Sequence, residues 1–184
     1  MKYRIIIFVI VCTALLITGC GNKEPLAPDS TDLALNEQEA FLAKRPNLDI
    51  TPYEAVEKDG VIIEPGEEWI SEDNVLHVRG RVMVYVVESD EYRIAGTNKI
   101  TQNYDLNLTT GNGPYTVTCY HEPSAVDGRW EGRLIGGFKN FVFWGEGVAK
   151  GYGELHGYIQ VVTLHDTPPP WLEVPESGYI IKKN

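Results

Sequence analysis

Residues 127–138, DGRWEGRLIGGF, decide the fold of this chain. Glycine alternates with large apolar side chains at the even positions, which are Gly128, Trp130, Gly132, Leu134, Gly136 and Phe138. A period of two is typical of a β-strand, but glycine weakens a strand unless a bend or a close approach requires it. Closed or strongly coiled sheets need such bends, and alternating small and large residues suit a tapered barrel interior.

The same period of two extends over most of the chain beyond residue 60. It predicts strands at 76–86, 104–109, 115–120, 129–138, 141–149 and 153–164, with further candidates at 61–64 and 91–99. The even positions from Leu76 to Val86 are apolar, so we expect them to face the core. A turn is predicted at 110–114 and a loop at 121–128, whereas helical periodicity is absent. The pattern predicts an all-β fold, either an antiparallel β-barrel or a strongly coiled sandwich.

The segment 127–136 together with residues 147–157, GVAKGYGELHG, resembles the C-terminal hairpins of small calycin-type barrels. The nearest group is that of the allene oxide cyclases and dirigent proteins. This resemblance implies a closed barrel. It covers about 30 of the 184 residues and includes no catalytic motif, so it implies no cyclase activity. A glycine-rich β-meander of another topology is the alternative.

The N-terminus has the layout of a secretory signal. A basic head, Met1–Arg4, precedes 13 apolar residues, Ile5–Ile17, and small residues follow. The apolar run is shorter than the roughly 20 residues that a membrane-spanning helix needs. Residues 16–20, LITGC, resemble the lipobox of bacterial lipoproteins, which implies that Cys20 is acylated and becomes the mature N-terminus.

These features divide the chain into three parts. Residues 1–19 are predicted to form a signal peptide with a helical apolar region. Residues 20–50 are predicted to hold the lipidated cysteine and a flexible tether, with a short helix within 32–44. Residues 51–184 are predicted to form the barrel-like domain, whose tail begins at the proline run 168–170 and includes Gly178–Ile181 as an edge strand or a loose end. We expect a lipoprotein anchored in the cell envelope and facing the periplasm or the exterior.

Charge and cysteine content exclude some classes of function. The mature chain would carry 14 basic and 26 acidic residues, a net charge of −12, without a basic cluster that could bind nucleic acid. Beyond Cys12 in the signal and Cys20, only Cys119 remains, so no internal disulfide is expected. Alternation places Cys119 on the same side as Tyr115 and Val117, as a buried structural thiol.

Six residues are candidates for ligand binding: Trp130, Trp144, Glu131, Glu154, His156 and Tyr158. His156 shares a strand face with Glu154 and Tyr158, and this face either lines a wet pocket or faces solvent. His121 and Glu122 form a possible acid–base pair in a loop, and Trp171 is expected to be exposed after the prolines. The histidine spacing matches no zinc site, and a Gly-x-Ser-x-Gly elbow is missing. No catalytic residue, metal or cofactor is predicted.

Three functions are consistent with the sequence. The first is a non-enzymatic envelope module that holds a small apolar ligand or a partner protein, since barrel mouths are common ligand sites. The second is an enzyme that uses the barrel cavity, with His156, Glu154 and Glu131 as acid–base groups. The third is a structural envelope lipoprotein.

Overall fold

The computed structural model describes residues 48–169 and 173–183. The predicted signal peptide, the lipid site Cys20, the tether with its short helix, and Trp171 lie outside these residues. The described segments contain no helix with the length and apolar character needed to cross a membrane.

The described residues form nine β-strands joined by short connections. Their bounds are β1 Leu48–Glu64, β2 Glu67–Ile70, β3 Val75–Ser89, β4 Gly96–Asn107, β5 Gly113–Pro123, β6 Gly128–Lys139, β7 Val142–Gly153, β8 Tyr158–Thr167 and β9 Val174–Lys183. The prediction of an all-β fold is therefore confirmed, with the first strand beginning slightly before residue 51.

Eight of the strands close into an antiparallel barrel. The sheet order is β1-β9-β8-β7-β6-β5-β4-β3-β2, and an additional ladder between β1 and β3 closes the circuit. The first part of β1 pairs with β9, from Leu48 opposite Lys183 onward, and its later part pairs with β3. The barrel prediction is confirmed. The continuous ladder around all eight strands differs from the two separate sheets of a sandwich.

The short strand β2 lies outside this closed circuit. It pairs with the first half of β3, whose second half pairs with β1, so β3 is long enough to serve both neighbours. A bulge between Val78 and Arg81 interrupts the β3–β4 ladder, and Gly80 within it has a positive φ of 66°. The extra residue changes which side chains face inward.

The predicted alternation of β3 holds only up to this bulge. Val78 is buried as expected, but beyond Gly80 the odd positions Tyr85 and Val87 are buried in the core clusters and Val86 is exposed. Val82 is also buried, on the face opposite to Tyr85. The even positions therefore do not share one buried face over the whole strand. The phase changes because glycine at position 80 allows the left-handed backbone conformation that the bulge requires.

The glycines of β6 lie where β6 and β7 approach closely. A Cβ at Gly136 would collide with the carbonyl oxygen of Trp144, and one at Gly132 would collide with that of Val148. The large residues that alternate with these glycines, Trp130, Leu134 and Phe138, are buried as predicted. Glycine thus permits the tight coiling of the barrel wall at this hairpin.

Two apolar clusters fill the barrel. The mouth cluster consists of Tyr85, Ile100, Leu106, Tyr115, Val117, Leu134, Phe138, Phe143, Val162, Leu164 and Val174. The base cluster consists of Tyr53, Ala55, Val87, Ile94, Trp130, Ala149, Leu155 and Ile180. Along β9, Glu176 lies between Val174 of the mouth cluster and Ile180 of the base cluster, so a polar level separates the two.

Two local predictions are wrong. Residues 121–123 belong to β5 rather than to a loop, because the inward alternation of Tyr115 and Val117 continues through Cys119 to His121. The segment 178–181 is part of β9, which lies between β8 and β1 instead of at an edge. The proline run separates β8 from β9, and the chain then returns to complete the barrel.

Candidate functional site

A cavity of about 230 Å³, which we call the mouth cavity, lies beside the mouth cluster. Its walls carry the aromatic rings of Tyr85, Tyr104, Tyr115, Phe138 and Phe143. The ring centroids of Tyr115 and Phe143 are 4.7 Å apart at an interplanar angle of 75°, and those of Tyr104 and Phe138 are 5.5 Å apart at 62°. Edge-to-face pairs of this kind attract one another, so the apolar wall is held in place by its own packing.

Arg81 brings a positive charge to the mouth cavity. Its Nη1 donates a hydrogen bond to the Tyr104 hydroxyl at 3.0 Å, and its Nη2 forms an ion pair with Glu68. The Arg81 Nε is buried and has no hydrogen-bond partner among the described residues. Met83 and Gln102 also line the cavity, and Gln102 accepts a hydrogen bond from Tyr115 at 3.1 Å. Because Glu68 already balances Arg81, the cavity is mainly an apolar site with a polar rim.

A second, smaller cavity of about 40 Å³ lies deeper in the barrel. Five buried polar residues from five strands surround it, and we call them the polar layer: Glu57, Asn98, His121, Gln160 and Glu176. A cavity needs at least about 10–15 Å³ to hold one water molecule. The deep cavity, at about 40 Å³, therefore admits only groups of about that size. This deep cavity and the mouth cavity share four lining side chains, Tyr85, Tyr115, Phe143 and Val174.

The two glutamates of the polar layer receive hydrogen bonds from neutral groups. The Tyr53 hydroxyl donates to Glu176 Oε1 at 2.6 Å, and Gln160 Nε2 donates to Tyr53 at 2.9 Å. Asn98 Nδ2 donates to Glu57 Oε1 at 2.5 Å. Lysine and arginine are absent from the described lining of the deep cavity. The carboxyl groups therefore lack the cation that usually compensates a buried negative charge.

Burial shifts the proton affinities of this layer. It raises the pKa of Glu57 to about 6, and burial together with the charge of Glu57 raises the pKa of Glu176 to about 8. Burial lowers the pKa of His121 to about 4. Each shift favours the uncharged form, as expected for groups withdrawn from water without an opposite charge. At neutral pH, Glu176 is mostly protonated and His121 is neutral.

Two acceptor atoms in the polar layer have no hydrogen-bond partner in the described part of the chain. These are Asn98 Oδ1 and His121 Nε2. His121 also hydrogen-bonds the backbone of Ile94. A neutral imidazole that donates from Nδ1 carries its lone pair on Nε2. Since buried polar atoms are normally hydrogen-bonded, these two atoms mark a place where a donor group is missing.

Cys119 lines the deep cavity together with Tyr115 and Val117. The prediction that these three side chains share a face is confirmed. Burial, followed by the nearby charges of Glu57 and Glu176, raises the pKa of the Cys119 thiol to about 12. A thiol with this pKa contains very little thiolate at neutral pH, so Cys119 is a poor nucleophile.

The structure does not bring the six predicted ligand-binding residues together. Trp130 is fully buried in the base cluster, where its Nε1 donates to the Arg93 carbonyl oxygen at 2.8 Å, whereas Trp144 is 42% exposed. Glu131 pairs with Arg129 and is only half-buried.

The other three candidates lie near the turn between β7 and β8. Glu154 and His156 are exposed, and Tyr158 is half-buried beside Lys182. None of the six lines the mouth cavity or the deep cavity.

The predicted acid–base pair of His121 and Glu122 does not form. Both residues lie on β5, where successive side chains point to opposite faces, so His121 is buried and Glu122 is exposed. His121 instead joins the polar layer, which the sequence alone did not reveal. The alternation of Tyr115, Val117 and Cys119, extended by one more step, is the signal that could have placed it inside.

A chain of hydrogen bonds joins Ser71, His77 and Asp105. His77 Nδ1 lies 2.6 Å from Asp105 Oδ1, and its Nε2 lies 3.0 Å from Ser71 Oγ. The Ser71 hydroxyl also lies 2.5 Å from Asp73 Oδ1, to which it donates. The Ser71 hydroxyl proton is thus directed at an acceptor other than His77, which is not the arrangement that a nucleophilic serine needs. Neither Ser71 nor His77 lines the mouth cavity or the deep cavity. These hydrogen bonds therefore stabilise the β2–β3 hairpin.

The described residues contain no cluster of three or more His, Cys, Asp or Glu side chains that could hold a metal ion. Comparison of the whole chain with protein-family models, curated proteins and solved structures found no match. The function is therefore inferred from the chemistry of the cavities themselves.

Proposed function

We propose that this protein is an exported, lipid-anchored binding module of the bacterial cell envelope that holds a small, mostly apolar ligand. The observation that carries this proposal is the mouth cavity, with five aromatic rings and Met83 in its wall. Pre-formed concave sites lined by apolar groups with a few polar ones are the usual form of small-molecule sites. The base cluster closes the opposite part of the interior, because Trp130, Ile94 and Leu155 are at most 1% exposed.

The size of the mouth cavity limits the ligand. An apolar cavity of about 150 Å³ accommodates benzene, whereas drug-sized ligands occupy about 300–1,000 Å³. A space of about 230 Å³ suits one ring with a short side chain, or a short aliphatic chain. Long-chain lipids exceed this volume. The closed eight-stranded barrel also supports the resemblance to calycins, whose architecture encloses ligands of this general kind.

Binding of propylbenzene tests this proposal. The full chain is reconstituted in zwitterionic lipid nanodiscs, and binding heat is measured against empty nanodiscs of the same composition. We expect saturable binding to the native chain and its loss in Met83→Trp, which fills the mouth cavity. The matched control Ile159→Trp, at a position that is 49% exposed, should retain binding. Absence of saturable binding to the native chain would overturn the proposed function.

The membrane anchor is the second part of the proposal. The basic head, the short apolar run and Cys20 in the lipobox-like sequence support it. Two or more acyl chains attach a protein stably to a membrane, whereas a single chain does not. Metabolic labelling with palmitate should mark the native chain but not Cys20→Ser, and the control Cys119→Ser should be labelled normally. Equal labelling of all three proteins, or of none, contradicts acylation at Cys20.

A partner protein is the second candidate ligand, and exposed apolar residues support it. Val61, Ile62 and Ile63 of β1 and Trp69 and Ile70 of β2 are between 45% and 60% exposed. Scattered apolar residues are normal on surfaces, but a contiguous group can mark an interaction site. A photo-crosslinking residue at Ile63, but not at Ile159, should capture an envelope protein in the native host. Equal capture at both positions argues against a partner on this surface.

Catalysis in the cavity by His156, Glu154 and Glu131 is not part of the proposal. His156 and Glu154 are exposed, and Glu131 pairs with Arg129 at 2.6 Å. Groups that act together as acid and base must reach the same bound molecule, and these three lie outside both cavities.

A further inference from the structure

The polar layer has an excess of hydrogen-bond acceptors. Asn98 donates to Glu57, both Gln160 and Tyr53 donate within the Glu176 group, and the carboxyl proton of Glu176 is one further donor at neutral pH. Asn98 Oδ1 and His121 Nε2 are left as buried acceptors without a partner in the described residues. A single proton on Glu176 cannot serve both acceptors, so the deep cavity still lacks a donor.

The same layer also lacks a positive charge. Glu57 and Glu176 are both buried, at 6% and 7% exposure, and no lysine or arginine of the described chain lines the deep cavity. Arg81 lies in the mouth cavity, where Glu68 is its ionic partner. A bound cation would supply the missing charge and allow a carboxyl group of the layer to ionise without remaining unpaired.

One chemical group meets both requirements within the available space. A primary ammonium has three N–H donors and a unit positive charge, and it is about the size of a water molecule. The deep cavity of about 40 Å³ has room for such a group but not for a ring. Its three donors match Asn98 Oδ1, His121 Nε2 and one carboxylate oxygen. A guanidinium is too large, and a carboxylate would add acceptors to a site that already has too many.

The two cavities are adjacent in the barrel interior. Tyr85, Tyr115, Phe143 and Val174 line each of them and form the boundary between them. A ligand whose ring occupies the mouth cavity needs a short arm to place a terminal group in the polar layer. We infer that the ligand is a small primary amine whose apolar body fills the mouth cavity and whose ammonium group donates to Asn98 Oδ1, His121 Nε2 and a carboxylate oxygen of Glu57 or Glu176. This inference rests on the proposed function and specifies its ligand class.

A set of four probes that share a phenyl ring and a two-carbon arm tests the terminal group. They are propylbenzene, 2-phenylethanol, 2-phenylethylamine and 3-phenylpropionate, which end in a methyl, hydroxyl, ammonium and carboxylate group. Binding heat is measured on the full chain in zwitterionic nanodiscs, with empty nanodiscs as the reference. We expect the amine to bind about 10- to 100-fold more tightly than propylbenzene, as for hydrogen bonds that involve a charged group.

Variants of the polar layer identify the partners of the ammonium. Glu176→Gln and Glu57→Gln remove a buried ionisable group with little change in shape. They should each reduce the preference for the amine by about tenfold or more while leaving the affinity for propylbenzene unchanged. Unchanged propylbenzene binding shows that each variant is folded. The control Glu54→Gln, on the exposed face of the same strand as Glu57, should bind all four probes like the native chain.

The outcomes separate this inference from the proposed function. If propylbenzene and the amine bind equally, the mouth cavity is an apolar site and the ammonium inference is wrong. If the alcohol equals the amine, the layer needs only a water-like donor, and the inference is also overturned. Preferred binding of the carboxylate, lost in Arg81→Gln, would assign the terminal group to the mouth instead. If no probe binds, both the proposed function and the inference fail.

Discussion

Replacing Glu176 by glutamine should change how the stability of the barrel depends on pH. In the native chain, burial and the charge of Glu57 raise the pKa of Glu176 from 4.5 to about 8. A carboxyl group whose folded pKa is raised stabilises the fold fully below its unfolded pKa, and this stabilisation is lost as the pH rises through the folded pKa. The stabilisation that protonated Glu176 contributes is therefore lost between about pH 4.5 and pH 8.

The structure sets an upper limit on the effect. A shift of about 3.5 units corresponds to about 5 kcal/mol, because each unit is worth about 1.4 kcal/mol. Part of this amount belongs jointly to Glu57 and Glu176, so we expect on the order of 3–5 kcal/mol. Glutamine cannot ionise, and it keeps an oxygen that accepts the hydrogen bond from Tyr53. The variant should therefore resemble the native chain near pH 5 and be more stable at pH 9.

Equilibrium urea unfolding at several pH values, followed by tryptophan fluorescence, measures this difference. His121 titrates in the same range with the opposite sign: its pKa is lowered to about 4, so its stabilisation is lost as the pH falls below 6.5. This contribution is common to both proteins and cancels in the comparison. Glu54→Gln on the exposed face of β1 should show no such trend. A difference between Glu176→Gln and the native chain that stays constant from pH 5 to pH 9 would refute the reasoning.

Three further predictions concern the packing of the barrel. Trp130→Ala should lower the free energy of unfolding by about 3–5 kcal/mol, because Trp130 is fully buried, and a loss below about 1 kcal/mol in urea unfolding would contradict its assignment to the core. Gly136→Ala should lower the free energy of unfolding by about 1–3 kcal/mol, since the added Cβ would collide with the Trp144 carbonyl oxygen. The control Gly145→Ala should lower it less, because its Cβ would meet only contacts of 3.5 Å or more. Similar unfolding midpoints for these two alanine variants would show that the close approach is absent. Cys119 should react with a thiol-specific reagent at pH 8 only after unfolding, because burial raises its pKa to about 12, and Cys119→Ser provides the background rate. Rapid modification of the folded chain would contradict the raised pKa of Cys119.

Local patterns were sufficient to place most of the strands. The alternation in 128–138 correctly placed Trp130, Leu134 and Phe138 inside, since side chains of a strand point alternately to its two faces. The same rule failed after Gly80, because the bulge turns the odd positions Arg81, Met83 and Tyr85 toward the mouth cavity, while Val82 is buried on the opposite face. It also failed at His121, where glutamate and proline nearby suggested a loop although the inward alternation continued.

The candidate site was much harder to predict. The sequence arguments selected Glu154 and His156 because they share a predicted strand face, and Glu131 because it is a polar residue of the glycine-rich strand. The polar layer instead combines Glu57 of β1 with Glu176 of β9 and with residues of β4, β5 and β8. Periodicity within a strand cannot predict this set, because which residues meet depends on the order of the strands around the barrel.

The sequence by itself determined the period of two, the glycine positions that permit tight coiling, and the net negative charge. These properties follow from single residues and their near neighbours. Only the tertiary structure decided that β1 pairs with both β9 and β3, which closes the sheet. Closure converts one face of every strand into an interior, and it brings two distant glutamates into a cavity that no described lysine or arginine lines. Alternation distinguishes two faces of a strand, but the long-range pairing determines which face is enclosed.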